Sequence, residues 1–176
     1  IDTTVKNIFS SRQYVAASLT ELKKKNRPYG YDRITLKKVE GALDFEWYSK
    51  AYKEFHSQSP ELKNWVPMND KEDMDRCLSD RLLDQVLVDG ELAGLVAAQS
   101  ERLLGQPAVY MTELLLTSKY RGQGLAVALQ RKFLDELPDG FNMVWGTIDS
   151  KNQPSLRTAF RVGRKTIRSE YFVSLG

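Results

Sequence analysis

The segment YRGQGLAVALQRKF, from Tyr120 to Phe133, joins a glycine-rich turn to the start of a predicted helix. The first N–H groups of a helix lack intrahelical partners and the helix dipole makes this end partly positive, so such a segment can bind an anion. Gly122 and Gly124 have no side chains to keep an anion from the backbone, and Arg121 adds a positive charge. The alternative is a glycine turn that binds nothing. We favour a phosphate-binding loop.

Two common phosphate-binding motifs do not fit this segment. The dinucleotide fingerprint G-x-G-x-x-G needs a third glycine, and Val127 stands at that position. The nucleotide-binding P-loop, G-x-x-x-x-G-K-[ST], is absent from the sequence. The loop therefore belongs to another class of anion site.

The elements around the loop predict a mixed sheet in the second half of the chain. A long apolar run that ends in Leu114–Leu116 precedes the loop and predicts a buried strand. Before it, two apolar runs flank Asp89-Gly90, a strong hairpin signal because both central residues of such a turn need positive φ. After the loop come a helix to about Leu137, a strand FNMVWGTI, a helix NQPSLRTAFRV and a last strand TIRSEYFVSL.

The first half of the chain is predicted to be mostly helical. Apolar residues at helical spacing predict helices over 10–26, over 44–56 and after Asp70, and the segment DRITLKKVE predicts a strand. No internal repeat, low-complexity tract or long linker divides the sequence. We therefore expect residues 1–176 to form one α/β (α+β) domain whose sheet is covered by helices.

Two segments together resemble a known family. The order LLLTSKYRGQGLAVALQ is similar to the acetyl-CoA-binding motif of the GCN5-related N-acetyltransferase (GNAT) superfamily, [QR]-x-x-G-x-[GA], with Arg121, Gly124 and Ala126 at its defined positions. Downstream, Asn152 and Ser155 fit the family's N-x-x-[AS] pattern. The resemblance covers about Gln85 to Leu175 and implies a GNAT-like mixed, mostly antiparallel sheet, flanked by helices, with splayed central strands.

The resemblance implies where a CoA thioester would bind. The loop amides would hold the pyrophosphate, the preceding strand would pair with the pantetheine arm, and the Leu116 amide would lie near the thioester carbonyl. Residues 84–176 would form this acetyl-CoA-binding part and residues 1–83 the acceptor side, with substrate contacts around Phe45 to Trp65. The cofactor-binding residues implied are Leu114, Leu115, Leu116, Arg121, Gly122, Gln123, Gly124, Leu125, Ala126, Asn152 and Ser155.

Glu113 is the preferred candidate for the general base that an amine acceptor requires. On the long predicted strand it shares a face with Met111 and Leu115, and these apolar surroundings would raise the pKa of its carboxyl group. The alternative is a glutamate paired for structural reasons. His56 is a second candidate base because the ordinary pKa of histidine suits neutral pH.

The general acid is harder to assign. The family often places a tyrosine seven residues after the asparagine, and here that residue is Ala159. Arg164 also departs from the pattern, since the family usually has an aromatic residue after Gly163. Tyr171 in the last strand is the replacement candidate for the acid, with a packing role as the alternative.

Composition limits the other classes of function. One cysteine and one histidine exclude an internal disulfide, a cysteine-based zinc site and a histidine-rich metal site, so we expect no metal. A net charge of +3 is too small for a nucleic-acid binder, and no apolar run is long enough to span a membrane. We expect a cytoplasmic monomer or homodimer. Because the sequence begins at Ile1, a fragment of a longer protein is an open alternative.

The sequence therefore predicts an enzyme, an acyltransferase that uses acetyl-CoA as cosubstrate. It would move the acetyl group by direct transfer to a primary amine of an unidentified small molecule or peptide. The alternative, favoured by Ala159, is a catalytically impaired CoA-binding sensor or interaction module.

Overall fold

The computed structural model describes residues 8–173, which form a seven-stranded sheet and five α-helices. The strands are β1 (Ile8–Ser18), β2 (Ile34–Lys38), β3 (Leu83–Val88), β4 (Glu91–Leu103), β5 (Gln106–Leu116), β6 (Met143–Asp149) and β7 (Lys165–Val173). The helices are α1 (Leu19–Lys23), α2 (Phe45–Gln58), α3 (Lys71–Ser79), α4 (Leu125–Asp135) and α5 (Gln153–Val162).

The strands lie in the order β2-β3-β4-β5-β6-β1-β7. The pairing of β5 with β6 is parallel, and the other five pairings in this part of the chain are antiparallel. This confirms the predicted mixed, mostly antiparallel sheet. The predicted hairpin at Asp89-Gly90 is also confirmed, with φ of 52° and 86° at the two residues. Ser174 and Leu175, predicted to end the last strand, lie outside the described residues.

The helix predicted over 10–26 is wrong for most of its length. Val15, Leu19 and Leu22 do recur at helical spacing, but Val15 belongs to β1 and only the two leucines lie on α1. β1 pairs with β6 on one side and with β7 on the other. Backbone pairing along both edges outweighs a local helical pattern, because propensity is only a weak preference.

Helices cover both faces of the sheet. On one face, called the α4 face, residues of α1, α4 and the end of α5 pack on the strands and form the larger core. On the other, called the α2 face, Tyr48, Tyr52 and Met74 of α2 and α3 pack against Leu95 and Leu115. Asp44 and Asp70 cap these two helices, since the side chain of each accepts a backbone N–H at 2.9 Å.

A β-bulge at Thr112 changes which face Glu113 occupies. Glu113 pairs with Ala97 and Met111 with Ala98, so Thr112 is an extra residue in β5. Met111 packs against the core of the α4 face, whereas Glu113 contacts the tyrosines of the α2 face. The expectation that Glu113 shares a face with Met111 is therefore wrong, because one inserted residue reverses the side-chain alternation.

β5 and β6 part from each other after a short paired stretch. Their pairing runs from Ala108 and Met143 to Tyr110 and Trp145 only. Beyond it, residues 111–116 and 146–149 diverge and leave an opening in the sheet, called the fork. The predicted splay of central strands is thus present. None of the helices within residues 8–173 is long and apolar enough to cross a membrane.

Candidate active site

A cavity of about 850 Å³ occupies the fork and is lined from both faces of the sheet. Tyr52 and Glu113 line it on the α2 face, and Gln130 and Arg164 line it from the α4 face. The cavity therefore passes through the sheet where the two strands have separated. A volume of this size is typical of a site for a small molecule or cofactor.

The glycine-rich loop forms one end of the cavity. Gly122 and Gly124 adopt left-handed conformations, with φ of 73° and 74°, and a Cβ on either would meet nothing within 4 Å. Both glycines line the cavity with Leu125 and Ala126, which begin the eleven-residue helix α4. The positive end of α4 therefore faces open space, and this arrangement suits an anion.

The other two loop side chains are held by the protein itself. Gln123 donates to the Lys119 carbonyl at 2.8 Å and is not among the residues that line the cavity. Nε of Arg121 donates to the Leu116 carbonyl at 2.7 Å, and its guanidinium lies 4.4 Å from the ring centroid of Phe55. Burial lowers the pKa of Arg121. Arg121 thus connects α2 to β5 across the cavity.

Alternate residues of β5 direct their backbone groups into the fork, because β4 pairs with the residues between them. Three of these groups have partners: the Thr112 carbonyl accepts from Asn69, the Leu114 N–H donates to Glu113, and the Leu116 carbonyl accepts from Arg121. By the same alternation, the Leu114 carbonyl and the Leu116 N–H lie on the edge of β5 that faces the fork. The side chains of Leu114 and Leu116 pack on the α4 face, and that of Leu115 packs on the α2 face.

Glu113 is a buried carboxylate that accepts four hydrogen bonds. Its Oε2 accepts from the hydroxyls of Tyr48 at 2.5 Å and Tyr52 at 2.9 Å and from the Asn69 amide at 3.1 Å. Its Oε1 accepts the Leu114 N–H at 2.9 Å. Only 7% of the residue is exposed. The carboxylate is therefore fixed in position by donors from two different segments of the first half of the chain.

Burial raises the pKa of Glu113, and the four donors oppose this effect because they stabilise the charged form. Burial also raises the pKa of the Tyr48 and Tyr52 hydroxyls, with the nearby Glu113 charge as the next cause. Both phenols therefore keep their protons at neutral pH. The arrangement can accept a proton from a group that enters the cavity, since Tyr52, Asn69 and Glu113 line it.

Comparison of the sequence with known families shows which family the chain belongs to. The sequence model described as the acetyltransferase (GNAT) family matches residues 44–163, more than half of the chain. The chain belongs to the GNAT family. Membership supports acyl-CoA-dependent acetyl transfer at the level of the family, without identifying the acceptor. No curated protein matches the sequence.

Solved structures share the GNAT fold at low sequence identity. A GCN5-related N-acetyltransferase from Sphaerobacter thermophilus matches 94% of this chain with 16% identity and a TM-score of 0.61. One from Kribbella flavida matches 93% with 16% identity and a TM-score of 0.54. The chain spans only 51% and 57% of the lengths of these two proteins. An aminoglycoside acetyltransferase from an uncultured soil metagenomic sample, solved with sisomicin, matches 82% of this chain and 98% of its own, with 16% identity and a TM-score of 0.50.

The GNAT motif residues of α5 also reach the cavity. Asn152 is the N-cap of α5 and accepts the Ser155 N–H at 3.2 Å, so the capping role considered for it is present. Asn152 and Ser155 both line the cavity. Ala159, where the GNAT family often has a tyrosine, is buried against Val15 and Leu156. A proton donor is therefore absent from that position.

Two predicted catalytic candidates do not reach the cavity. Tyr171 is 62% exposed on β7, whereas its neighbour Phe172 lines the cavity, because successive side chains of a strand point to opposite faces. Tyr171 is thus poorly placed to act as the acid. Nε2 of His56 lies 2.9 Å from the Val66 carbonyl, and His56 is not a lining residue.

Asn69, Gln130 and Arg164 are among the lining residues whose polar groups the sequence alone did not indicate as parts of a site. Tyr52 follows Tyr48 by one helical turn, so a shared face was visible in the pattern, but their common partner Glu113 lies more than sixty residues further along the chain. Arg164 was visible only as a departure from the GNAT pattern. Of the aromatic residues expected on the acceptor side, Tyr52, Phe55 and Trp65 line the cavity.

Proposed function

We propose that the protein is an N-acetyltransferase that moves the acetyl group of acetyl-CoA to a primary amine by direct transfer. The observation that carries this proposal is the fork, which has an open glycine loop at one end and a buried, hydrogen-bonded carboxylate beside it on the α2 face. The glycine loop is suited to binding a phosphate group, and Glu113 is suited to accepting a proton. Because both line a single cavity, this arrangement is suited to transfer of a group between two bound substrates.

The fork fits acetyl-CoA on its own structural features. The space above Gly122 and Gly124 leaves room for a pyrophosphate at the start of α4. The Leu114 carbonyl and the Leu116 N–H would pair with the amide groups of the pantetheine arm, as a further strand would. Acetyl-CoA supplies an activated acyl group when bound. With the Leu116 N–H paired to the arm, the thioester would lie further along β5, toward Met111, rather than at the Leu116 amide as the resemblance implied.

Glu113 would act as the general base in this proposal. An amine attacks only in its neutral form, so a proton must leave the nitrogen. Glu113 lines the cavity, and burial raises its pKa toward the range in which it can accept that proton. Tyr52 and Asn69 would hold the carboxylate in place during the transfer. Phe55 and Trp65 line the cavity, which supports an acceptor side within residues 1–83. The amine would approach past these aromatic side chains.

The second candidate function is a CoA-binding sensor or interaction module without catalysis. The observation that favours it is Ala159, which leaves no acid at the position where the GNAT family often has a tyrosine. Both candidates predict CoA binding. They differ in whether an amine causes release of the CoA thiol.

The first experiment is calorimetric titration of the protein with CoA and with acetyl-CoA. We expect both to bind, and we expect Gly124→Glu to abolish binding because its side chain and charge would occupy the anion site. Gly105→Glu is the matched control, since Gly105 has a similar φ of 78° and open space around it but lies in the turn between β4 and β5. Absence of binding to the unmodified protein, or equal binding by Gly124→Glu, would contradict both candidates.

The second experiment measures thiol release from acetyl-CoA across a panel of primary amines. Release that depends on one class of amine supports the enzyme and identifies its acceptor. Binding of acetyl-CoA without release by any amine, including polyamines, amino sugars and peptide amino groups, supports the sensor.

A further inference from the structure

Arg164 is a buried arginine at the apex of the fork. A Cβ placed on Gly146 would lie 3.2 Å from Nη1 of Arg164 and 3.5 Å from the Met111 carbonyl oxygen. Met111 and Gly146 are the first residues beyond the last pair of β5 and β6. The guanidinium therefore lies where the two strands separate, and a side chain at position 146 would be in tight contact with it.

This guanidinium lacks partners. Within residues 8–173, its Nε and Nη1 are buried without any hydrogen-bond partner. Only 4% of the residue is exposed. Burial, with no charged neighbour to offset it, lowers the pKa of Arg164 to about 10, so the group is still protonated at neutral pH. An unpaired buried charge is strongly unfavourable, which indicates that the partner is a molecule that binds here.

A second polar group on the same side of the cavity is also unsatisfied. Gln130 of α4 lines the cavity, and its Oε1 is buried without a partner. The third side chain of this kind in the described part of the chain, Trp145, is not a lining residue. A glutamine amide can present either its oxygen or its N–H groups to a ligand. Gln130 and Arg164 therefore each present an unsatisfied polar group on the α4 side of the cavity.

We infer that Arg164 forms the end of the acyl pocket and selects a donor whose acyl group ends in a carboxylate. This inference rests on the proposed function, in which the thioester enters past the glycine loop and lies along β5 toward the apex, and it replaces the acetyl group of that proposal with a longer acyl group that carries a carboxylate. The planar guanidinium offers paired N–H donors that match the two oxygens of a carboxylate. An acetyl group would present only a methyl group there and would leave the charge unpaired. The glycine loop at the other end of the fork is the better site for the phosphate groups.

The transfer itself needs no additional reactant. The bond between the amine nitrogen and the acyl carbon forms as the carbon–sulfur bond breaks. Glu113 takes the proton from the nitrogen, and the thiolate leaves and takes a proton from solvent. The distal carboxylate is unchanged and stays paired with Arg164 throughout.

The test is calorimetric titration with shape-matched pairs of CoA esters, which requires no knowledge of the amine. Malonyl-CoA is compared with isovaleryl-CoA, and succinyl-CoA with 4-methylvaleryl-CoA, because two methyl groups replace the two carboxylate oxygens in each pair. We expect the carboxylate ester of at least one pair to bind at least tenfold more tightly than its neutral partner. In Arg164→Met this ratio should fall below twofold. Arg157→Met, which removes an exposed arginine of α5 outside the cavity, should keep it.

The outcomes separate this inference from the proposed function. Failure of CoA and of every ester to bind would overturn both. Binding of CoA and acetyl-CoA with no advantage for either carboxylate ester would overturn the inference alone. So would a tenfold advantage that Arg164→Met retains. If Arg164→Met does not fold, Arg164→Lys decides: it keeps the charge but loses the paired donors, and we expect it to reduce the ratio at least threefold.

Discussion

The cavity is lined by a buried carboxylate on one face of the sheet and a buried guanidinium on the other, and the two groups differ in their hydrogen-bond partners. On the α2 face, Glu113 accepts four hydrogen bonds, among them those of Tyr48, Tyr52 and Asn69. On the α4 face, two buried nitrogen atoms of Arg164 have no partner among residues 8–173. Both residues are less than a tenth exposed. Burial is therefore the same for the two groups, and only their pairing differs.

This difference distinguishes a charged group whose partners are supplied by the protein from a charged group whose partner must be a ligand. A buried charge with its donors in place has a fixed position and a shifted pKa, which is what a proton acceptor needs. A buried charge without partners costs free energy until a molecule of opposite charge arrives. In our proposals, the α2 face therefore serves proton transfer and the α4 face serves recognition of the donor.

The largest expected effect is on the rate of transfer in Glu113→Gln. The amide cannot accept the amine proton, so we expect turnover with the best amine of the panel to fall about 100- to 10,000-fold, the usual contribution of a general base. Affinity for acetyl-CoA should change little, because the glycine loop is untouched. Thiol release and calorimetry on the same preparation measure the two quantities.

A matched control for this variant is Glu46→Gln, which makes the same change at an exposed position of α2. It should retain the turnover of the unmodified protein. Unmodified turnover in Glu113→Gln would remove Glu113 from the mechanism, and loss of acetyl-CoA binding would show that the residue supports the fold of the site instead.

The next effect is on stability, where the two charges should respond with opposite signs. Glu113→Met leaves two buried tyrosine hydroxyls without an acceptor, so we expect the free energy of unfolding to fall by about 3 kcal/mol. Arg164→Met removes an unpaired buried charge and keeps a similar volume. We expect the free energy of unfolding to rise by roughly 1–3 kcal/mol, measured by urea denaturation without CoA.

Arg157→Met is again the control, because a change at an exposed helical position should stay within about 0.5 kcal/mol. A loss of stability in Arg164→Met comparable to that in Glu113→Met would contradict the difference in pairing between the two charges. It would mean that the Arg164 guanidinium stabilises the folded protein when no ligand is bound.

The parts of this site that depend on local sequence were predictable. The loop at Gly122 and Gly124, the hairpin at Asp89-Gly90 and the cap at Asp70 each follow from residue types within a few positions. The order of strands and helices in the second half followed for the same reason. In such segments the backbone conformation is determined by the residues that adopt it.

The parts that depend on distant contacts were not predictable. β1 is a strand because β6 and β7, more than a hundred residues further along the chain, pair with both of its edges. The bulge at Thr112 has no signal in the residues around it, yet it places Glu113 on the opposite face from Met111. The donors to Glu113 and the isolation of Arg164 likewise arise only when the sheet has formed.

The smallest expected effect concerns the pH dependence of kcat/KM and tests the hydrogen bonds to Glu113 on the α2 face. Hydrogen bonds to the charged carboxylate lower the pKa of Glu113, so removal of one donor in Tyr52→Phe should raise that pKa further. The base must be unprotonated to act, and the acid limb of kcat/KM should therefore move to higher pH. A donor to a charged group is worth about 1.5–3 kcal/mol, and two other donors to Oε2 remain. We expect kcat/KM to fall by at most about tenfold at pH values below this limb and to change little above it.

Two further tyrosine variants separate this effect from simple loss of a cavity residue. Tyr48→Phe removes the other phenol donor from outside the cavity lining and should move the limb in the same direction. Tyr110→Phe alters a lining tyrosine whose hydroxyl lies 2.9 Å from Thr147 instead, and it should leave the limb in place. An unchanged limb in Tyr52→Phe, or an equal displacement in Tyr110→Phe, would show that the donors fix the position of Glu113 without setting its pKa.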